Sequence, residues 1–168
     1  MRDILQYASV FVDGRGYFGE SQKADLPKIA LATREFEASG MAAPIKVRLS
    51  RLASAMEMML HFNTVPADLW DLFTISEGEI IPFRLKASIQ GNDGTITKHE
   101  VVARGFVEEF DDGSWEDGKE APLQHKISLR HNERHIDGVE KWVINPEGMI
   151  IRKNGVDLLA QHRANIGR

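Results

Sequence analysis

The sequence predicts a mainly β (α+β) fold: an antiparallel β-sandwich or barrel with one internal helix, a long central hairpin and a short C-terminal helix. Three observations carry this. Strand-sized runs with two-residue alternation recur along most of the 168 residues. Glycine-containing turn signals such as Asp13-Gly14, Asn92-Asp93-Gly94 and Asp137-Gly138 separate those runs. Helical spacing marks a segment after Pro66 and the last fifteen residues, and competes with a strand reading over 49–60. Short alternating runs joined by tight turns bury one face of an antiparallel sheet folded or closed on itself.

Each element follows in order. Residues 7–12 alternate and end at Asp13-Gly14, a hairpin signal. Leu26-Pro27 opens an extended run to Glu37, and residues 39–44 make a turn containing Gly40, Met41 and Pro44. Ile45, Val47 and Leu49 then alternate with Lys46, Arg48 and Ser50. Past Ser50 the apolar set becomes Leu52, Met56, Met58, Leu60 and Phe62. A one-residue slip exchanges core and solvent faces, so the backbone must bend or bulge there. Leu49, Leu52, Ala53, Met56 and Leu60 also fit a helical stripe, and periodicity alone leaves both readings open for this stretch. Pro66, an acidic Asp68, then Leu69, Leu72 and Phe73 at helical spacing predict a short helix that seals one sheet face. Further strands are expected over 80–90, 99–110, 123–135, 139–144 and 149–153, with Asn145-Pro-Glu-Gly148 as the last turn before the end segment. In that segment Asn154 is placed as a helix cap and Asp157 in the first turn. Val156, Leu159, Ala160, Arg163 and Ile166 share a face, and Gly167 is the stop. No repeat or linker appears, and residues 1–168 read as one domain.

Composition narrows the function. A net charge of −4 argues against a chain held to nucleic acid chiefly by phosphate contacts. With no cysteine there is no disulfide framework and no thiolate metal site. No apolar run approaches a membrane span, and the N-terminal residues lack a signal-peptide core, so the expectation is maturation in the cytoplasm where the chain is made. The acidic excess lies in residues 61–130, with 13 Asp/Glu against 7 Lys/Arg, chiefly between Glu108 and Asp117. Such a run reads as a solvated loop or as a loop that meets a basic partner.

Several motifs imitate chemistry. Residues 14–19 match the spacing of a GxGxxG dinucleotide fingerprint, but no helical pattern follows to supply the N-terminus that binds pyrophosphate. The glycines read instead as hairpin residues. His131 and His135 would share a metal on a helix. On the expected strand they stand roughly 13 Å apart, too far for one ion, and read as surface histidines near a turn. Ser114 and Ser128 lack a nucleophile elbow. The adjacent acids Glu108-Glu109 and Asp111-Asp112 read as solubility residues rather than a general acid/base pair. Lys46, Arg48 and Arg51 have no aromatic stacking partner before Phe62. No catalytic, cofactor or metal residue is assigned.

The end segment carries the most specific signal. Asn154-Gly-Val-Asp, followed by a polar run and Asn165-Ile-Gly, resembles the C-terminus of the major tail tube proteins of contractile-tailed phages and R-type pyocins. Other pieces fall in the family's order: Val10-Phe-Val-Asp-Gly, Leu26-Pro-Lys-Ile, Gly40-Met41 with Ala43-Pro44, Met56-Glu57, and Leu69-Trp-Asp-Leu-Phe after Pro66. The residues 50–55 replace a stretch that is usually acidic with glycine, and residues 131–135 look individual.

The resemblance implies a structural virion protein without catalysis. Hexameric rings would stack into a rigid tube inside a contractile sheath, be driven into the target envelope and conduct DNA in phages. Implied partners are the tail sheath protein, baseplate and tail terminator proteins, the tape measure protein and double-stranded DNA in the lumen, with assembly in the bacterial host cytoplasm. The tube of a DNA-free R-type bacteriocin or of type VI secretion shares the architecture, and a small β-barrel ligand-binding module or enzyme is the remote alternative. Long hairpins of neighbouring subunits would join into one barrel, which makes 28–62 strands bending near Ser50. Lumen-facing candidates are then Thr33, Glu35, Glu37, Lys46, Arg48 and Glu57. Subunit-interface candidates are Leu26, Pro27, Gly40 and Met41, together with Asn154, Gly155, Val156, Asp157, Leu159, Arg163 and Ile166.

Overall fold

A computed structural model describes residues 2–17, 20–73 and 77–168. Its strands are β1 (Asp3–Val12), β2 (Arg15–Gly16), β3 (Ser21–Asp25), β4 (Leu31–Phe36), β5 (Ile45–Leu52), β6 (Met56–Phe62), β7 (Ile81–Gly91), β8 (Ile96–Asp111), β9 (Leu123–Ile136), β10 (Val139–Asn145), β11 (Ile150–Lys153) and β12 (Val156–Asp157). Two short helices, α1 (Ala67–Asp71) and α2 (Ala160–Asn165), complete it. The mainly β, antiparallel class expected from the alternation is the class observed, and every paired register is antiparallel.

The main sheet runs β12-β11-β10-β9-β8-β7-β1-β2, with β6 and β3 branching from β9. The branch exists because β9 is long. Along one edge it pairs with β8 from end to end; along the other, residues 123–129 pair with β6 and residues 132–136 with β10. Alternation sends Leu123, His125, Ile127 and Leu129 inward, opposite Met56, Met58, Leu60 and Phe62 of β6. The β1–β2 end and the β3–β6 branch meet across the core: the Tyr17 ring meets Phe62 edge-on at 5.6 Å. Val10, Val12, Ile81, Phe83, Val101, Ala103 and Val107 fill the space between.

Helix α1 closes one side of this core. Its five residues are too few to hold a helix by propensity, so tertiary contacts decide it. Leu69 is fully buried, Trp70 packs on Phe110 at 4.3 Å between ring centroids, and Asp68 accepts from the Tyr17 hydroxyl at 2.7 Å and from Arg15. The helix expected after Pro66 is present, but it stops at Asp71, so Phe73 lies beyond it. His125 is sealed beside Phe62 and Phe110, with no hydrogen bond to either ring nitrogen. Burial alone pushes its pKa down to about 4.

The end segment departs from the sequence reading. Asn154 is not a helix cap. Asn154 and Gly155 have φ of 50° and 81° and form the tight turn between β11 and β12. Both central residues of a type I′ turn need positive φ, and Asn-Gly meets that need best. Asn favours a helix cap and a left-handed turn through the same short polar side chain, which is why the sequence admitted both. No side chain caps α2, whose N-cap is Leu159; Asp157 Oδ1 accepts from the Leu159 N–H at 3.0 Å in the turn just ahead of it. Gly167 does end the helix. Its N–H reaches the Ala164 carbonyl and the Arg168 N–H reaches that of Arg163, the paired bonds of a Schellman stop.

Candidate functional site

β4 and β5 form a two-stranded sheet of their own, exposed along most of both faces. The expected change of phase after Ser50 is a register shift: Leu31 faces Leu52, but Thr33 faces Arg48. Two extra residues on β5 are accommodated there, and the Ala53 N–H bonds the Ala30 carbonyl at the hairpin base. The tip turns through Gly40, where the Met41 N–H bonds the Ala38 carbonyl at 3.1 Å. Beyond the shift, Thr33 opposes Arg48 and Glu35 opposes Lys46, so these four of the lumen-facing candidates share one face. Arg34 with Val47 and Phe36 with Ile45 form the other. Glu37 follows the end of β4. Glu57 sits elsewhere, on β6 in the main sheet, with Lys126 at 3.7 Å.

That second hairpin face is apolar apart from Arg34, and uncovered. Phe36 and Ile45 are each 52% exposed and Val47 44%. An isolated hairpin is marginal in water, and an exposed apolar patch marks a contact surface.

The end segment makes a second such surface. Val156, Leu158 and Ile166 point to solvent. Leu159, also an interface candidate, is buried within its own chain. Asp157 and Arg163 are joined to each other, and Arg163 also donates to the Met149 carbonyl at 2.8 Å. The Arg163 guanidinium holds the Asp157 carboxyl below its ordinary range, and Asp157 raises Arg163 in return. This pair ties α2 to the β10–β11 turn and fixes the direction in which the exposed apolar residues face. Leu26, Pro27 and Asn154, further candidates, line one cleft together.

The motifs that imitated chemistry resolve as structure. Gly14 and Gly16 lie in the β1–β2 hairpin, and the next element among the described residues is strand β3, not a helix; Gly19 of that motif falls outside the described residues. His131 and His135 are on strand β9, as expected, but they are part-buried rather than open surface residues. Sequence reading missed what lies between them. Glu133 holds His131 Nε2 at 2.8 Å with one oxygen and His135 Nε2 at 3.0 Å with the other. Burial opposes its charge, yet the two imidazole bonds outweigh that and keep the carboxyl below its usual value. The i, i+2, i+4 spacing on one strand was the available signal. Among the described residues, no group of His, Asp and Glu is spaced to hold a metal ion.

An antiparallel β protein with uncovered apolar residues on a two-stranded hairpin and on its end segment presents surfaces suited to contact with other chains. The family model described as phage tail tube protein FII matches residues 2–167. The tail tube protein of Escherichia phage P2 is 31% identical over 166 residues, covering 97% of this chain and 96% of that protein. The major tail tube protein of Serratia phage KSP20 is 23% identical over 154 residues, covering 92% and 89%. The chain belongs to the phage tail tube protein family, and it is a structural virion component. No helix among the described residues is long and apolar enough to cross a membrane.

Proposed function

We propose that copies of this chain, each acting as one tail-tube domain over residues 1–168, close into hexameric rings that stack into the inner tube of a contractile tail. The observation that carries this reading is the β4–β5 hairpin, a two-stranded sheet with an uncovered apolar face and free strand edges. Free edges and exposed Phe36, Ile45 and Val47 are a liability in a monomer and are removed when neighbouring hairpins pair around a ring. The row Thr33, Glu35, Lys46 and Arg48 then faces the lumen, with Glu37 just beyond the end of β4, while Glu57 would reach the lumen from β6, apart from that row. Leu26, Pro27, Gly40, Met41 and the segment from Asn154 to Ile166 serve contacts between subunits. The sheath would surround the tube, terminator and baseplate proteins would close its ends, and the tape measure protein and then double-stranded DNA would occupy the lumen as the tube enters the target envelope.

Negative-stain microscopy of the purified protein tests the assembly. Rings or tubes are expected, growing longer with concentration. A discrete monomer at high concentration refutes the proposal.

A further inference from the structure

The cleft under the β8–β9–β10 end of the sheet is built for an occupant that this chain does not supply to itself. It measures about 560 Å³ and is walled by Leu26, Pro27, Val101 and Trp142. That is within the range of about 300–1,000 Å³ typical of ligand clefts. Two buried polar atoms in its lining have no partner: Asn132 Oδ1, on a residue only 1% exposed, and the Trp142 indole N–H. Its charged residues are all cations, namely Arg134, Lys141 and Lys153. Among the described residues, no carboxylate forms an ion pair with any of the three. Arg134 reaches only the His99 ring, at 3.2 Å, and burial pulls its pKa down. Asp137, at the same end, is committed to the Lys98 N–H. Asn132 Oδ1 and the Trp142 indole N–H are sealed from solvent, so it is the unpaired cations and the apolar walls that favour an occupant, one bearing carboxylates and apolar surface.

The complementary group lies at the other end of the same hairpin. The loop between β8 and β9 carries Trp115, 78% exposed, with Asp112, Glu116 and Asp117 around it. Glu116 is shared with Lys119; Asp112 and Asp117 have no ion-pair partner among the described residues. Trp115 supplies an apolar ring for the walls of the cleft, and the acids supply charge for Arg134, Lys141 and Lys153. The two sites cannot meet within one chain. The β8–β9 ladder sets the loop, after Asp111, and the cleft, at Val101 and Arg134, ten residues apart on β8. At ~3.3 Å per residue that is roughly 30 Å. Two complementary patches at opposite ends of one subunit make a head-to-tail contact, which propagates from copy to copy.

The geometry points to the acidic Trp115 loop of one copy seated in the basic Trp142 cleft of the next copy along the tube. This inference rests on the tube reading above and names one of its contacts. Trp115→Ala should raise the protein concentration needed for tube growth about tenfold or more, as expected for a buried aromatic anchor, without changing the monomer's thermal melt. Glu116→Lys with Asp117→Lys should do the same, and adding Lys141→Glu with Lys153→Glu should restore growth. The chain has no cysteine, so Ser114→Cys with Lys153→Cys offers a direct readout. Oxidised tubes of the double variant should yield a ladder of covalent multimers, whereas either single variant should not. Wild-type tubes that tolerate Trp115→Ala and give no ladder overturn this contact and leave the tube reading standing. Wild-type protein that forms no tubes sinks both. A loop that stays open in bare tubes and becomes protected only when sheath protein is added also overturns the contact and assigns the loop to the sheath.

Discussion

Gly105 is where a single added methyl group should cost most. It sits in β8 beside the register shift at which Arg104 faces His131 but Gly105 faces Leu129. A Cβ at this position would lie 2.0 Å from the Ser128 carbonyl oxygen and 3.0 Å from Leu129 Cα, both backbone atoms of the paired strand. Ordinary contact needs well over 1 Å more, and backbone cannot rotate away as a side chain can. The two strands must therefore part locally, next to fully buried Ala103 and to Val107. Overpacking of this kind costs about 1–3 kcal/mol, and each ladder bond weakened adds about 1 kcal/mol. Alanine's smaller unfolded-state entropy offsets about 0.4–1 kcal/mol. The net loss is about 2–3 kcal/mol. With a urea m-value of about 2 kcal/mol/M, the unfolding midpoint of Gly105→Ala should fall by about 1–1.5 M. Gly148→Ala is the internal control. Its Cβ would meet Ile150 Cδ1 at 3.4 Å, an ordinary contact, and its φ is not positive. It should move stability by about 0.5 kcal/mol or less. Urea titrations of unassembled protein followed by tryptophan fluorescence give both numbers. Equal midpoints for Gly105→Ala and wild type would refute the close-approach reasoning.

Other outcomes follow from the same packing. Leu69→Ala empties a fully buried site under α1 and should cost about 2–5 kcal/mol in a urea titration. His125 gives a pH signature. Its folded pKa of about 4 lies below the ordinary value of 6.5, so the unfolded chain binds the proton more tightly. Stability should be full above pH 6.5 and decline as pH falls from 6.5 toward 4, by at most about 3 kcal/mol. His125→Leu should flatten that decline in urea titrations at pH 4.5, 5.5 and 7. Phe36→Ser with Ile45→Ser should leave the monomer melt nearly unchanged, because both side chains are half exposed, yet abolish rings in negative stain. Asp157→Asn should loosen α2, read as faster amide exchange over 158–166 with the exchange of β8 and β9 unaltered.

The strands with a buried face were legible because one side of each faces the core. Ile81, Phe83 and Leu85 alternate without interruption, and Leu123, Ile127 and Leu129 do so with His125 as the one polar member of the set. Short elements held by tertiary contacts were not. β12 is two residues long, and its Val156 is exposed, so no alternation announced it. β3, the polar run Ser21–Asp25, is set by pairing with β6 rather than by any apolar pattern of its own. In the site, facing rows of the hairpin were readable because period two fixes which residues share a face. The cleft was not, since Leu26, Arg134, Trp142 and Lys153 come together only through the branching of β9.

The apolar pattern of β4–β5 resolves what the isolated chain leaves unexplained. β4 and β5 alternate as well as many core strands, with Phe36, Ile45 and Val47 on one face, but nothing among the described residues covers that face. Burying an apolar side chain is worth about 1.5–3 kcal/mol, so a face of three held open in water gains from the first surface that fits it. Its cross-strand neighbours on the opposite face are charged or hydroxylated, which forbids packing of that side against a dry core and leaves it suited to a wet lumen. A hairpin with one dry and one wet face cannot be satisfied by a monomer sheet, nor by a face-to-face dimer, which would cover the apolar side but leave its strand edges unpaired. Closure into the proposed barrel would pair every edge and give each face its own environment, so the proposed function places its assembly contacts on the hairpin rather than on the well-packed main sheet.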